Sequence, residues 1–168
     1  MRLFIGIKTD CDDYLVSLQQ RLKEYGKGNF TDKANLHITL RFLGEIRPEE
    51  QKNICEAISE IKSGPVYLEC LGLGILNGGI VFAKVGGDIR KLLELHSQLE
   101  AALYKKGFEK EKRAFRPHIT LARGFERCGF NIKPDKNFGF TADKITLFES
   151  RRERGKLVYA PLFIHKLR

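Results

Sequence analysis

Two of the four histidines in this chain stand in identical tetrapeptides, His37-Ile38-Thr39-Leu40 and His118-Ile119-Thr120-Leu121, 81 residues apart. Each copy alternates polar with apolar, the period of a strand with one buried face, in which residues i and i+2 share a side. Ile38, Leu40, Ile119 and Leu121 are then core residues, and His37, Thr39, His118 and Thr120 look out from the opposite face. A fold that carries one strand twice is expected to have two similar lobes. Two imidazoles and two hydroxyls can line the cleft between them.

The rest of the pattern fits a single domain over residues 1–168, a length that can bury one sizeable core but not two large independent ones. No segment approaches the run of about 18 apolar residues that spans a membrane. Met1 to Lys8 is too short an apolar stretch for a signal peptide and reads as a first strand. Apolar residues at helical spacing predict helices over 10–25 (Tyr14, Leu15, Leu18, Leu22), from Pro48 onward (Ile54, Ala57, Ile58, Ile61) and over 88–106 (Leu92, Leu95, Leu99, Leu103). Strands are expected at 36–43 and 115–123 around the motifs, at 140–148 and 156–166, and in a hairpin of 66–76 and 80–85 joined by Asn77-Gly78-Gly79. Residues 124–138 read as turn-rich. Short connections between strands imply largely antiparallel sheets in an α+β fold.

Four cysteines, Cys11, Cys55, Cys70 and Cys128, follow no Cys-x-x-Cys or finger spacing, so free thiols in a reducing cytoplasm are expected rather than a metal knuckle or disulfide scaffold. A formal net charge of +9 favours a polyanionic partner such as nucleic acid. Histidine titrates near pH 6.5, so one imidazole of a neighbouring pair can be neutral while the other is protonated. Phosphodiester hydrolysis needs that combination: a base to activate water on one side of phosphorus and an acid to protonate the leaving oxygen on the other. Thr39 and Thr120 can hold the phosphate through hydrogen bonds to its non-bridging oxygens. No phosphate loop, Ser-His-Asp arrangement or carboxylate cluster with metal-ligand spacing is present, which points to an activated, strained diester such as a cyclic ribose phosphate.

Leu36 to Glu45 and Arg116 to Arg123 resemble the paired His-x-Thr-x motifs of the 2H phosphoesterase superfamily. Arg2-Leu3-Phe4-Ile5 and the stretch from Leu147-Phe148-Glu149-Ser150-Arg151 to Tyr159 are similar to its RNA 2′,3′-cyclic phosphodiesterase branch, also called 2′-5′ RNA ligase. The resemblance covers essentially the whole chain. It implies a bilobal, pseudo-two-fold α+β fold of two largely antiparallel sheets, helices outside and a central cleft. It also implies no metal or other cofactor, and opening of a terminal 2′,3′-cyclic phosphate on RNA or a nucleotide to a 2′-phosphate. By the same resemblance His118 is the base that activates water and His37 the acid that protonates the departing 3′ oxygen, with 2′-5′ ligation as the reverse traffic. No membrane and no obligate protein partner is expected.

Two other readings stay open: a non-catalytic module that binds RNA ends, and a phosphodiesterase acting on 2′-5′ oligonucleotides. Arg123 joins Thr39 and Thr120 as a phosphate ligand only if a bulge or the strand end turns it from the face that ideal alternation gives it. Arg41 has the parity of His37 but can equally be a surface residue. His96 and His165 read as packing or surface residues. Phe4 and Phe42 can stack a base, although strand aromatics are more often core, and the Arg151-Arg152-Glu153-Arg154 turn is left outside the site.

Overall fold

Apolar periods of 3.6 and 2 become three helices and nine strands in the computed structural model, which describes residues 1–126, 132 and 138–168. The order is β1 (Arg2–Lys8), α1 (Asp12–Lys23), β2 (Asn29–Phe30), β3 (His37–Glu45), α2 (Gln51–Ser59), β4 (Val66–Leu76), β5 (Ile80–Gly87), α3 (Ile89–Lys105), β6 (His118–Arg123), β7 (Phe138–Ala142), β8 (Lys144–Glu153) and β9 (Lys156–Lys166). In α1 the carboxylates Asp12 and Asp13 occupy the first turn and Arg21 and Lys23 the last, complementing the helix dipole. Its buried stripe is Leu15, Leu18, Gln19 and Leu22, and that of α3 runs through Leu92, Leu95, Leu99 and Leu103. Each such leucine contributes roughly 1.5–3 kcal/mol by leaving water.

The strands form one antiparallel sheet in the order β7-β4-β5-β6-β3-β1-β8-β9, with β2 pairing β6. Its two expected parts are visible as the halves β9-β8-β1-β3 and β6-β5-β4-β7, joined at the β3–β6 seam by the pair Ile38 and Ile119. Two of the helices reach across between the halves. α1 follows β1 of the first half but reaches β6 of the second, where the Gln19 amide donates to the Leu121 carbonyl at 2.9 Å. α3 follows β5 and touches β4 of the second half, yet it packs on α2, which lies against β9, and its Glu100 reaches Arg41 of β3. We infer from this exchange that the halves are interleaved lobes of one folding unit.

The strand expected over 140–148 divides at Asp143. β7 pairs with β4 at one edge of the sheet, whereas β8 pairs with β1 and β9 in the other half. A single residue reaches only about 3.3–3.6 Å, so the sheet has to curl until its two ends almost meet. The Asp143 carbonyl accepts from the Leu167 amide at 2.8 Å, which fixes the crossover. The hairpin turn closes at Asn77-Gly78-Gly79 as expected, with Gly79 at φ +69° and so near the Phe125 backbone that a Cβ would lie 2.6 Å from it. Of the 124–138 stretch, 127–131 and 133–137 lie outside the described residues, as does Cys128. Cys11, Cys55 and Cys70 are free thiols.

Candidate active site

The two tetrapeptides meet at the joint of the sheet. With Ile38 paired to Ile119, His37 stands opposite Thr120 and His118 opposite Thr39, all four on the face away from the two buried isoleucines. The imidazoles are thus diagonal neighbours across an antiparallel pair, a relation that places side chains roughly 7–8 Å apart. On the flanking strands Lys8 pairs with His37 and Lys84 with His118, so each half presents a lysine beside its histidine. Gly6 pairs with Thr39, and a Cβ there would come within 2.8 Å of the Ile38 carbonyl and 3.5 Å of the His37 ring.

Both rings are set by the backbone just ahead of their strands. Nδ1 of His37 lies 2.6 Å from the Asn35 carbonyl, and Nδ1 of His118 lies 2.8 Å from the Arg116 carbonyl. A carbonyl only accepts, so each Nδ1 carries the hydrogen and each Nε2 is left to exchange a proton. The Nε2 of His37 lies 2.9 Å from the Thr39 hydroxyl, which donates to the neutral ring.

Just beyond each motif the facing of the chain is set by a bulge, and these two bulges match, although β3 slips a second time at Leu43. In β3 the register slips at Leu40, so that Ile5 pairs with Arg41 and Phe4 with Phe42. In β6 it slips at Leu121, so that Phe82 pairs with Thr120 and Val81 with Ala122. An extra residue reverses the facing of the side chains that follow it up to the next slip. Arg123 is thereby turned to the His118 face, as a phosphate ligand has to be, and Phe42 occupies the equivalent place after His37. Arg41 is turned the other way, contrary to its parity. It lies behind the sheet, 11 % exposed, 3.3 Å from Glu100 and 3.9 Å from Glu111, and it donates to the Glu109 carbonyl. His96 packs there as well, its ring 4.1 Å from Phe115 and parallel to it, and His165 contacts the Ile61 carbonyl at 3.2 Å.

Pseudo-symmetry ends at the surroundings of the rings. His37 sits among aromatics that sequence reasoning did not assemble: Phe4 at 4.8 Å, Tyr159 edge-on at 5.1 Å and Phe148 at 6.4 Å between centroids. His118 has the edge of Phe82 at 5.5 Å. Phe148 and Tyr159 come from β8 and β9, more than a hundred residues from His37, and only the closing stretch of the resemblance pointed to them. Burial holds the His37 imidazole below its ordinary range; the Asn35 carbonyl opposes this, and the positive charges of His118 and Arg123 push it further down.

A histidine held below its unfolded value contributes stability that is complete above about pH 6.5 and is lost as pH falls toward the folded value, because the unfolded chain takes up the proton first. His96, also lowered chiefly by burial, acts in the same direction. Thermal melts between pH 7.5 and 5.5 are expected to show a falling melting temperature, and a smaller fall in His37→Gln than in the parent protein. Among the described residues no three His, Cys, Asp or Glu side chains are gathered to hold a metal ion, and no helix is long and apolar enough to cross a membrane.

Comparison with known proteins agrees over nearly the whole length. Residues 5–80 and 87–159 match the model of a family described as LigT like phosphoesterase. The chain is 30% identical over 169 residues to the RNA 2′,3′-cyclic phosphodiesterase of Escherichia coli strain K12, covering 96% of this chain and 93% of that one. It is 31% identical over 125 residues to the protein of the same name from Methanocaldococcus jannaschii, covering 73% and 71%. The crystal structure of E. coli LigT complexed with 3′-AMP superposes with a TM-score of 0.87 at 26% identity, over 99% of this chain and 97% of that one.

Proposed function

The chain belongs to the LigT-like phosphoesterase family, and from that premise we propose that it is an RNA 2′,3′-cyclic phosphodiesterase that hydrolyses the terminal cyclic phosphate to a 2′-phosphate. The observation that carries the mechanism is the diagonal placement of two imidazoles, each with Nδ1 bound to a carbonyl and Nε2 left as the proton-exchanging atom, that of His37 meeting the Thr39 hydroxyl. With phosphorus between them, His118 takes the proton of an attacking water. The new oxygen–phosphorus bond forms as the bond to O3′ breaks, and His37 delivers its proton to O3′. His37 is poorly basic in the free protein, and an anionic phosphate beside it raises its affinity for the proton it has to donate. Release of that proton to O3′ is correspondingly easy.

Thr120 and Arg123 hold the non-bridging oxygens as charge builds on them, and Thr39 joins once its hydroxyl turns from His37. Replacing Arg123 by alanine is expected to lower kcat/KM by at least tenfold, with Arg123→Lys recovering part of it, as steady-state rates on a cyclic nucleotide would show. The free thiols of Cys11, Cys55 and Cys70 support a cytoplasmic setting for this chemistry. The reading is tested by incubating the protein with a 2′,3′-cyclic nucleotide in excess chelator and separating the products. A 2′-monophosphate supports it. Binding without product favours the RNA-end module, and preferential cleavage of 2′-5′ oligonucleotides favours the other phosphodiesterase.

A further inference from the structure

The cleft face of the second half carries side chains that hydrolysis of a cyclic phosphate leaves unused. On β4, Val66, Leu68 and Cys70 are buried behind the sheet, so Tyr67 and Glu69 take the cleft face, and the slip after Cys70 adds Leu71 to them. Three large side chains lie flat over glycines on this face: Phe82 over Gly74, Leu71 over Gly86 and Tyr67 over Gly139, each filling the place of the missing Cβ. Leu71 is 49 % exposed and Tyr67 44 %. The wall they form begins at His118, which has the Phe82 edge at 5.5 Å and Lys84 beside it in the ladder. Gly72 pairs with Lys84 from the other side, so no side chain of β4 crowds it there. Lys84 is exposed and forms no ion pair among the described residues. Strand spacing and rise put Gly86, with Leu71 over it, roughly 8 Å from His118, which suits the span from the 5′-oxygen of a nucleoside to its base.

We propose that this wall is an acceptor subsite, which seats a ribonucleotide with a free 5′-hydroxyl on the His118 side of phosphorus. Its base lies on Leu71 and Tyr67, its 3′-phosphate meets the Lys84 ammonium, and Glu69, opposite Gly86 in the ladder, accepts from its 2′-hydroxyl. The 5′-oxygen then stands where the attacking water stands in hydrolysis. His118 takes the 5′-hydroxyl proton as the bond from O5′ to phosphorus forms, the bond to O3′ breaks, and His37 gives its proton to O3′. The product is a 2′-5′ phosphodiester with a free 3′-hydroxyl, and the same step run backwards cleaves that bond. The proposal rests on the hydrolytic reading above and deepens it, because it names the residues that admit a nucleotide in place of water.

The test measures kcat/KM for three substrates: 2′,3′-cyclic AMP, the 2′-5′-linked dinucleotide of adenosine, and that dinucleotide with a 3′-phosphate on its 5′-linked nucleoside. The parent is expected to favour the phosphorylated dinucleotide over the plain one by about tenfold, the scale of one charge-assisted hydrogen bond. Lys84→Gln should bring that ratio to about one, and Lys84→Arg should keep most of it. Tyr67→Ala with Leu71→Ala should slow cleavage of both dinucleotides by about tenfold relative to hydrolysis of the cyclic nucleotide, which has no second base to hold. The subsite is overturned, and the hydrolytic reading left standing, if the cyclic nucleotide is hydrolysed but neither dinucleotide is cleaved. A parent ratio near one, a ratio unmoved by Lys84→Gln, or no relative loss in the Tyr67 and Leu71 pair overturns it equally. If none of the three substrates is turned over, the hydrolytic reading fails and calorimetric titration with the phosphorylated dinucleotide judges the subsite alone. Binding that Lys84→Gln weakens keeps it, and binding indifferent to Lys84 removes it.

Discussion

Replacing His37 or His118 by alanine is expected to lower kcat on a 2′,3′-cyclic nucleotide by about 10²- to 10⁴-fold, the usual contribution of one positioned proton transfer. The double variant should fall little below the worse single one, because an acid and a base acting on one phosphorus form a unit whose parts do not contribute independently. The two variants should differ in stability. His37→Ala removes a ring packed against Phe4, Phe148 and Tyr159, whereas His118 has only the edge of Phe82 beside it among described ring contacts. A lower melting temperature is therefore expected for His37→Ala, with His118→Ala close to the parent. Steady-state rates and thermal melts on the same preparations check both points, and rates within tenfold of the parent for both variants would contradict the assignment.

A second large loss, this time of stability, is expected behind the sheet. Glu100, 14 % exposed on its side chain, accepts from Arg41 at 3.3 Å and from the Glu111 amide at 3.1 Å, while Arg41 Nε and Glu100 Oε1 are buried without a hydrogen-bond partner. Glu100→Gln leaves the Arg41 charge buried with only the more distant Glu111 to balance it. Breaking one side of a buried pair costs roughly 3–5 kcal/mol, which for a domain of this size lowers the melting temperature by roughly 6–20 °C. Removing both charges, as in Arg41→Met with Glu100→Leu, should cost much less, since a buried pair contributes little over an apolar replacement. Calorimetry on the three proteins decides it; equal losses in the single and double variants would mean that packing, not charge, governs the cluster. Because the cluster also holds the segment leading to Arg116, whose carbonyl sets the His118 ring, Glu100→Gln should reduce kcat as well.

The facing of the repeated motif was legible in the sequence because strand alternation and a repeated tetrapeptide are local signals. His37, Thr39, His118 and Thr120 all face as their period requires, and the helix stripes and the 77–79 turn stand where apolar spacing and glycine put them. Alternation stops being a guide at Leu40 and Leu121, where one extra residue moves Arg123 and Phe42 into the cleft and Arg41 out of it. Nothing in the leucines themselves marks a bulge. The division of 140–148 at Asp143 was equally hidden, because both pieces have strand composition and only the closure of the curled sheet sends them to different halves. Phe148 and Tyr159 reach the His37 ring through that closure, a relation between distant segments that no local period reports.

Catalysis of this kind depends on two imidazoles sharing one phosphorus atom, and a crystal structure of the protein with the 2′-monophosphate product bound would reveal whether they do. Nε2 of His37 and Nε2 of His118 are both expected within about 2.6–3.2 Å of oxygens of the same phosphate, on opposite sides of phosphorus. A phosphate bound by one histidine alone, or held outside the β3–β6 seam, would contradict the two-histidine mechanism.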